Sequence, residues 1–263
     1  MAFPYKHVVL IGGTAGIGKA MGDRLIESGV KVTVVGRRQD RLDDFVRRHG
    51  ENKASAVAFD IGNLDKIPEF AAQITKSYPD VDCIFLNAGL QRAHKFSEPE
   101  TVDLQAFNLE MHVNFTSFVA LTHAFIPFLK SKETQTSLIY TTSNLAIVPA
   151  APVPAYSASK AALNAFILCL REQLQATTNI KVIEVLPPAV QTELHDYLGV
   201  EHGRNIGMPL DVFTNEAYQG LVDGRDQIII GSIGPVETVK EIAEKRRVAV
   251  TEIAKMMRQL GSG

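Results

Sequence analysis

The sequence predicts one α/β domain over residues 1–263, a single Rossmann-like, doubly wound parallel sheet of about seven strands with helices on both faces. Short apolar runs rich in Val and Ile alternate with longer helical patterns from the first residues onward. Hydrophobic residues make up 46% and charged residues 21% of the chain, which is typical of a globular protein. No linker, repeat or low-complexity segment divides this pattern. Together these observations favour one dinucleotide-binding catalytic domain.

Each apolar run is bounded by Gly, Asn, Asp or Pro, as buried strands are. The predicted strands are 7–12, 31–36, 55–60, 82–89, 137–143, 180–188 and 226–232, and the predicted helices lie near 16–28, 38–49, 64–77, 103–130 and 156–176. Strands that alternate with helices in this way form parallel sheets through right-handed crossovers.

Two segments interrupt the alternation. Residues 192–224 follow a strand end, where ligands bind in open α/β sheets, so we expect a substrate lid there. Its Leu194, Tyr197 and Leu198 are expected to cover an apolar substrate, with Glu193 on the solvated outer side. The alternative is a fixed helical hairpin packed on the body. Residues near 235–260 form an amphipathic C-terminal helical tail.

Composition argues against several classes of protein. A formal net charge of -2 gives no reason to expect a nucleic acid or an acidic membrane as partner. No run approaches about 18 apolar residues, so we expect no membrane span and a cytoplasmic protein. Cys83 and Cys169 are interpreted as buried free thiols in a reducing compartment. His94, His195 and His202 lack metal-ligand spacing and are interpreted as surface histidines, so no metal site is expected.

The first predicted strand ends in IGGTAGIG, a glycine-rich turn that enters a helix. Such a turn brings backbone N–H groups and the positive helix end to a pyrophosphate. The alternative is a tight strand–helix turn without a ligand. The predicted cofactor contacts here are Gly12, Thr14, Gly16, Ile17 and Gly18.

The second predicted strand ends at Gly36, where NAD-preferring folds carry Asp or Glu for the ribose hydroxyls. Arg37 and Arg38 follow, at a helix N-terminus where cations oppose the macrodipole unless an anion is present. A 2′-phosphate supplies that anion, so the sequence favours NADP, although a solvated charge run has the same pattern.

Further cofactor contacts are expected at two other strand ends. Asp60, with Ile61 beside it, is placed to accept the adenine amino group, and Asn87-Ala88-Gly89 lets the backbone approach the adenine ribose. The alternatives are that Asp60 caps the next turn and that the second triplet only closes a strand.

The catalytic candidates are Tyr156 and Lys160, which share a helix face because they are four residues apart. A phenol has a pKa near ~10, so exchanging a proton near pH 7 calls for an adjacent ammonium. Ser143 ends the fifth predicted strand, where its hydroxyl can hold a substrate oxygen. Asn114 lies inside a helical run that disfavours Asn, and it is either functional or a hydrogen-bonded core residue.

In order and spacing, IGGTAGIG, NAG, Asn114, Ser143, YSASK and PPAVQT resemble the short-chain dehydrogenase/reductase family over about residues 6–235. The resemblance implies that Tyr156 is the general acid and that Lys160 binds the nicotinamide ribose and lowers the tyrosine pKa. It implies that Ser143 orients the carbonyl and that Asn114 holds a water in a proton relay. By the same resemblance, Pro187, Val190 and Thr192 lie beside the nicotinamide.

The sequence departs from the family pattern at two places. Ile11 stands where a bracing Thr is usual, and Pro188 replaces the usual Gly after Pro187. The first change affects the rigidity of the glycine turn. The second alters the path of the backbone beside the nicotinamide, because proline fixes φ and lacks an N–H group.

The resemblance implies an NADPH-dependent reductase of an aldehyde or ketone. The apolar walls suggest an apolar or aromatic substrate, and they comprise Leu145, Val148, Pro149, Pro152, Leu194, Tyr197 and Leu198. Alternatives are imine reduction, oxidation of an alcohol, or a non-catalytic NADPH sensor. A homodimer or homotetramer is expected, because family members pair the helices near 103–130 and 156–176. The apolar outer faces of these helices are predicted to include Phe115, Phe118, Phe166 and Cys169.

Overall fold

Seven parallel strands form one sheet in this computed structural model, which describes residues 2–231 and 234–260. The strands are β1 His7–Ile11, β2 Lys31–Gly36, β3 Ala54–Ala58, β4 Cys83–Leu86, β5 Thr136–Thr141, β6 Ile180–Leu186 and β7 Gln227–Ile229. Their order is β3-β2-β1-β4-β5-β6-β7. The predicted fold class is thereby confirmed, while Ser232, predicted to end the seventh strand, lies outside the described residues.

The helices follow the predicted segments closely. They are α1 Gly16–Glu27, α2 Gln39–His49, α3 Ile67–Ser77, α4 Leu104–Met111, α5 Ser117–Lys130, α6 Pro154–Leu174, α7 Val200–Gly203, α8 Leu210–Val222 and α9 Val236–Leu260. The π-helical turn His112–Thr116 joins α4 to α5, and a 3-10 helix spans Glu193–Leu198.

Both faces of the sheet are covered, which explains why its strands are apolar throughout. Val8 and Leu10 of β1 point into a core with α1, α2 and α8, while Val9 and Ile11 point into a second core with α3, α5 and α6. The alternation follows from the period of two along a strand.

The C-terminal part of the predicted lid, residues 210–222, is a helix packed on the body of the domain. Helix α8 packs against α1, and its Phe213, Ala217 and Leu221 are buried in the core. The prediction of a mobile lid is therefore wrong for residues 210–222, where the alternative of a packed helix applies. The mobility of residues 192–209 stays a prediction.

The apolar faces of the long helices are also less exposed than predicted. Phe118 is fully buried against the sheet, and Phe166 packs partly into the same core. Cys169 is exposed, whereas Cys83 is buried as predicted. The stretch Leu104–Lys130 is long and apolar enough to cross a membrane by composition, but its apolar side packs on the sheet as in a core helix.

Candidate active site

A cavity of about 800 Å³ opens at residues that end or follow the first six strands, β1 to β6. This edge is where the strand order reverses between β1 and β4, the usual ligand site of such sheets. Predicted residues that line it are Gly12, Thr14, Gly16, Ile17, Arg37, Arg38, Asp60, Ile61, Asn87, Ala88, Gly89, Ser143, Tyr156, Lys160, Pro187, Val190 and Thr192. Gly18 and Asn114 support this wall from behind, through Gly12 and Leu90.

The glycine turn has the shape of a phosphate cradle. Gly12 has φ 88°, and a Cβ there would lie 2.6 Å from the Cα of Ala88. A Cβ on Gly18 would lie 2.1 Å from the carbonyl oxygen of Gly12. Gly16 opens α1 into the cavity, and Ala15 before it has no polar side chain to occupy the first N–H groups. The turn therefore fits a dinucleotide pyrophosphate.

Asn87 braces this turn from the end of β4. Its Nδ2 donates to the Gly12 carbonyl oxygen at 3.3 Å, and its Oδ1 accepts from the Thr141 hydroxyl at 2.9 Å. These contacts supply a brace in a chain that has Ile11 where the family usually has Thr. The triplet at 87–89 thus does more than close a strand.

Two arginines of the cofactor end share one carboxylate. Arg38 approaches Glu193 at 3.1 Å and also donates to the Thr14 hydroxyl at 3.0 Å, while Arg41 approaches Glu193 at 2.8 Å. Burial opposes ionisation of Glu193, but hydrogen bonds from Arg41 and Arg38 outweigh it and lower the pKa. The prediction that Glu193 lies on the solvated outer side is wrong, because the arginines draw it to the cavity. Sequence reasoning also missed Arg41, which lies on α2 one turn after Arg37.

Gly36, at the end of β2, has no carboxylate that could accept hydrogen bonds from ribose hydroxyls. A Cβ there would lie 2.5 Å from Cγ2 of Thr14, so Thr14 occupies the space of a side chain. Arg37 is exposed and lies 3.7 Å from Asp60. Asp60 also accepts from the Gly62 N–H at 3.0 Å, so it caps its turn while it faces the cavity.

The catalytic candidates converge at the other end of the cavity. Tyr156 and Lys160 are buried on α6, and Ser143 is buried just after β5. The Lys160 Nζ donates to the Thr141 carbonyl oxygen at 2.8 Å and lies 5.6 Å from the centre of the Tyr156 ring. The spacing within α6 therefore brings the phenol and the ammonium together as predicted.

Burial dominates the protonation of both groups. It lowers the pKa of Lys160 to about 7. It also raises the pKa of Tyr156, although a hydrogen bond with Ser143 lowers it, and the charge of Glu110 raises it further. The family pattern implies a lysine that lowers the tyrosine pKa, whereas here the net shift is upward. A phenol in this environment keeps its proton at neutral pH.

Asn114 is a fully hydrogen-bonded core residue. Its Oδ1 accepts from the Leu90 N–H at 2.8 Å, and its Nδ2 donates to the Leu90 carbonyl at 2.8 Å and to the Ser159 hydroxyl at 3.1 Å. A Cβ on Gly89 would lie 3.6 Å from Oδ1 of Asn114 and 3.8 Å from Nζ of Lys160. Asn114 lies in the π-helical turn, a feature frequent at functional sites. Its relay role stays a prediction.

The substrate end has the apolar walls that the sequence predicts, with two exceptions. Leu145, Pro152, Leu194, Tyr197 and Leu198 line the cavity together with Ile206. Val148 is instead exposed, and Pro149 beside it is outside the lining, because the turn after β5 points them outward.

Two of the predicted surface histidines are buried at this end. His94 and His195 are 8% and 7% exposed, so their prediction as surface residues is wrong. His94 Nε2 lies 3.0 Å from the buried Glu110 Oε1, and His195 Nδ1 lies 2.9 Å from Gln91 Oε1. For His94, the sequence feature that could have indicated burial is Glu110, because a carboxylate in an apolar helical run needs a buried partner.

Comparison with known proteins is consistent with this geometry. A family model described as short chain dehydrogenase matches residues 6–202. The chain is 34% identical to uncharacterized oxidoreductase DltE of Bacillus subtilis (strain 168), over 87% of this chain and 89% of that protein. It is 30% identical to NADP-dependent 3-hydroxy acid dehydrogenase YdfG of Salmonella typhi, over 70% of this chain and 72% of that protein.

Solved structures resemble it over most of its length. A short chain dehydrogenase from Burkholderia cenocepacia J2315 in complex with NADP has a TM-score of 0.75 and 27% identity, and 98% of each chain is covered. A short chain dehydrogenase/reductase from Burkholderia phymatum in complex with NAD has a TM-score of 0.78, with 87% of this chain and 90% of that chain covered. At 17% identity the latter shows the fold alone. Because the family model matches most of the chain and the family's glycine turn, tyrosine and lysine meet at one cavity, the protein belongs to the short-chain dehydrogenase/reductase family of oxidoreductases.

Proposed function

We propose that this protein is an NADPH-dependent reductase of aldehydes or ketones with an apolar or aromatic body. The observation that carries the proposal is the convergence of Ser143, Tyr156 and Lys160, which are all buried, on the apolar end of one cavity. Tyr156 enters the reaction protonated, and it can give up this proton once negative charge develops on a substrate oxygen that Ser143 also contacts.

Bound NADPH would supply a hydride to the carbonyl carbon of the substrate. Tyr156 donates its phenolic proton to the carbonyl oxygen as the C–H bond forms, which yields the alcohol and leaves a phenolate. Ser143 donates a hydrogen bond to the same oxygen and so holds it near the phenol. Lys160, whose pKa near 7 lets it exist in both protonation states, can return a proton to the tyrosine.

Arginines at the far end of the cavity support NADP over NAD. Arg38 and Arg41 present guanidinium groups beside Thr14, where a 2′-phosphate can accept charge-assisted hydrogen bonds. Gly36 offers no carboxylate to ribose hydroxyls. The similar 3-hydroxy acid dehydrogenase and the B. cenocepacia structure are both described with NADP.

A non-catalytic NADPH sensor is the less favoured alternative. A sensor has no need of a general acid, yet Ser143, Tyr156 and Lys160 are all present and are buried around the substrate end. The apolar walls beside them fit a substrate body better than open solvent does.

The test is a panel of aldehydes and ketones assayed by the loss of NADPH absorbance. At least one apolar carbonyl compound should be reduced, and Tyr156→Phe should abolish that turnover while NADPH still binds. Tyr78→Phe makes the same change at the end of α3, outside the cavity lining, and as a matched control it should retain turnover. Retained reduction in Tyr156→Phe would overturn the assignment of the acid, and no reduction of any compound would overturn the proposed function.

A further inference from the structure

At the apolar end of the cavity, one ring nitrogen of a histidine has no hydrogen-bond partner among the described residues. His195 is on the 3-10 helix Glu193–Leu198 and lines the cavity near Leu194 and Tyr197. Its Nδ1 is bonded to Gln91, and within residues 2–231 and 234–260 its Nε2 has no hydrogen-bond partner. A polar atom in such a wall fixes the orientation and identity of a ligand.

The contact with Gln91 determines which nitrogen carries the proton. Gln91 Oε1 has only lone pairs, so Nδ1–H of His195 donates to it at 2.9 Å. Burial lowers the pKa of His195, which keeps the ring neutral near pH 7. A neutral ring with its proton on Nδ1 has a lone pair on Nε2. The nitrogen left without a partner, on a ring that lines the cavity, is therefore an acceptor.

The acceptor is held in place by contacts on both sides. Gln91 belongs to the loop after β4, which is 104 residues away in sequence, so the bond ties the lid segment to the sheet edge. A Cβ on Gly203 would lie 2.1 Å from the His195 carbonyl oxygen, so α7 packs directly on its backbone. In this arrangement the ring has one orientation at the cavity, and protection of residues 193–206 on NADPH binding would hold it there before the substrate binds.

We propose that His195 Nε2 accepts a hydrogen bond from a hydroxyl or N–H group on the substrate, so that the enzyme selects apolar carbonyl compounds that carry such a donor. The inference rests on the proposed function, since it assigns the substrate class of the same site. Ser143 and Tyr156 bind the carbonyl oxygen, and His195 reads a second polar group on the body of the substrate. A compound without that donor leaves Nε2 buried and unpaired, which disfavours it.

The experiment uses aromatic ketones in matched pairs: α-, 3- and 4-hydroxyacetophenone against the corresponding methoxy compounds. Each methoxy compound keeps the oxygen but loses the proton. For the wild type, the ratio of kcat/KM between hydroxy and methoxy partners should reach about 10-fold to 100-fold for at least one position. His195→Phe keeps an aromatic ring without the acceptor, so the ratio should fall to about one.

Two further variants separate this role from a general loss of structure. His202→Phe changes an exposed histidine on α7 and should keep the wild-type ratio. Gln91→Leu removes the acceptor of Nδ1–H, which lets the ring place a proton on Nε2, so the ratio should fall to an intermediate value. Thermal unfolding of each variant shows whether it remains folded.

Equilibrium binding of the same compounds to the NADPH complex can be measured through the change in NADPH fluorescence. This measurement tests the inference separately from the proposed function, because it does not require turnover. One outcome is that no ketone is reduced, while the hydroxy compounds bind more tightly than the methoxy compounds and His195→Phe removes this difference. That result would overturn the proposed function and support the inference. A ratio that is near one in the wild type at every position, or unchanged in His195→Phe, would overturn the inference. An equal loss of kcat/KM for both members of each pair would also overturn it, since His195 would then serve catalysis.

Discussion

At Lys160 the proposed catalytic role and the stability of the fold make opposite demands. Its side chain is 2% exposed, and its ammonium has three N–H donors but one protein acceptor, the Thr141 carbonyl, within the described residues. Burial lowers its pKa to about 7, against about 10.4 in an unfolded chain. Between these values the unfolded state binds more protons, so this residue makes stability rise with pH.

Lys160→Met should therefore stabilise the cofactor-free protein while it abolishes turnover. Near pH 7 the gain should be roughly 1–3 kcal/mol, because the buried ammonium is replaced by an apolar chain of similar length. The gain should shrink toward pH 10, where the wild-type lysine is neutral when folded. Urea unfolding at pH 6.5 and pH 10 measures both values. A variant less stable than the wild type at both pH values would contradict this account.

The residues predicted from sequence are those whose positions local spacing determines. Tyr156 and Lys160 share one helix turn, and the glycines share one strand–helix turn. Arg41, Gln91, Glu193 and His195 were missed as site residues because their roles arise from contacts between segments 104 to 155 residues apart, such as His195 with Gln91 and Arg38 with Glu193. A single sequence contains no direct signal of such pairs.

Arg38 gives a prediction on cofactor choice. Arg38→Ala should raise the KM for NADPH by about 10-fold to 100-fold and leave that for NADH nearly unchanged, since a charged hydrogen bond contributes about 1.5–3 kcal/mol. Arg47→Ala is the matched control, because Arg47 lies on α2, the helix that begins directly after Arg38, and pairs with Asp44 on the exposed side. An equal effect on both cofactors would show that Arg38 does not contact the 2′-phosphate.

At the scale of elements, the lid segment is a loop whose two ends are joined. Val190 forms an isolated bridge with Met208, and backbone N–H groups of Gln191 and Met208 donate across the gap at 3.0 and 2.9 Å. Gly207, with φ 91°, allows this approach because a Cβ would lie 2.1 Å from the Ala189 carbonyl oxygen. The helix-like sequence of 210–222 did not reveal that α1 would bury it, since that depends on distant packing.

Glu193 connects this segment to the cofactor end. It occupies both Arg38 and Arg41, so a 2′-phosphate must displace or share them. Glu193→Gln should therefore tighten NADPH binding by about 3-fold to 10-fold and leave NADH binding unchanged, in line with the modest strength of exposed ion pairs. Glu201→Gln, an exposed change on α7, is the control.

Hydrogen exchange tests the same connection from the lid. Residues 193–206 should exchange quickly in the free protein, faster still in Glu193→Gln, and become protected on NADPH binding, while α8 should exchange slowly in every state. Slow exchange of 193–206 without NADPH would make this segment part of the rigid wall. If Glu193→Gln leaves the affinity for NADPH unchanged, the Glu193 carboxylate does not compete with the cofactor for the two arginines.

At the scale of the whole molecule, the parallel sheet followed from composition and alternation, but its strand order required long-range pairing to be seen. The predicted dimer likewise depends on information that a single sequence does not contain, namely which helix faces remain exposed after folding. Helices α5 and α6 bury much of the apolar surface that the prediction relied on, whereas α9 packs Val239 and Ala243 inward and leaves another side exposed. Hydrogen bonds from Arg246 to Asn164 and from Thr251 to Glu172 fix its orientation on α6.

The exposed side of α9 carries an apolar stripe that we expect to join two copies of this chain. Ile242, Ala249, Ile253, Met256 and Leu260 are exposed, and their spacings of seven, four, three and four residues place them on one side of a helix. Such a stripe can pair with its own copy across a two-fold axis, because both partners present the same surface.

Sedimentation at micromolar concentration should show a dimer of the 28.8 kDa chain, or a tetramer built from such dimers. Ile253→Glu should disrupt pairing through this stripe, whereas Val248→Glu should not, since Val248 is equally exposed at 47% but lies about 140° around the helix. Retained association in Ile253→Glu would move the interface to α4 and α6, and a monomer in the wild type would overturn the predicted association itself.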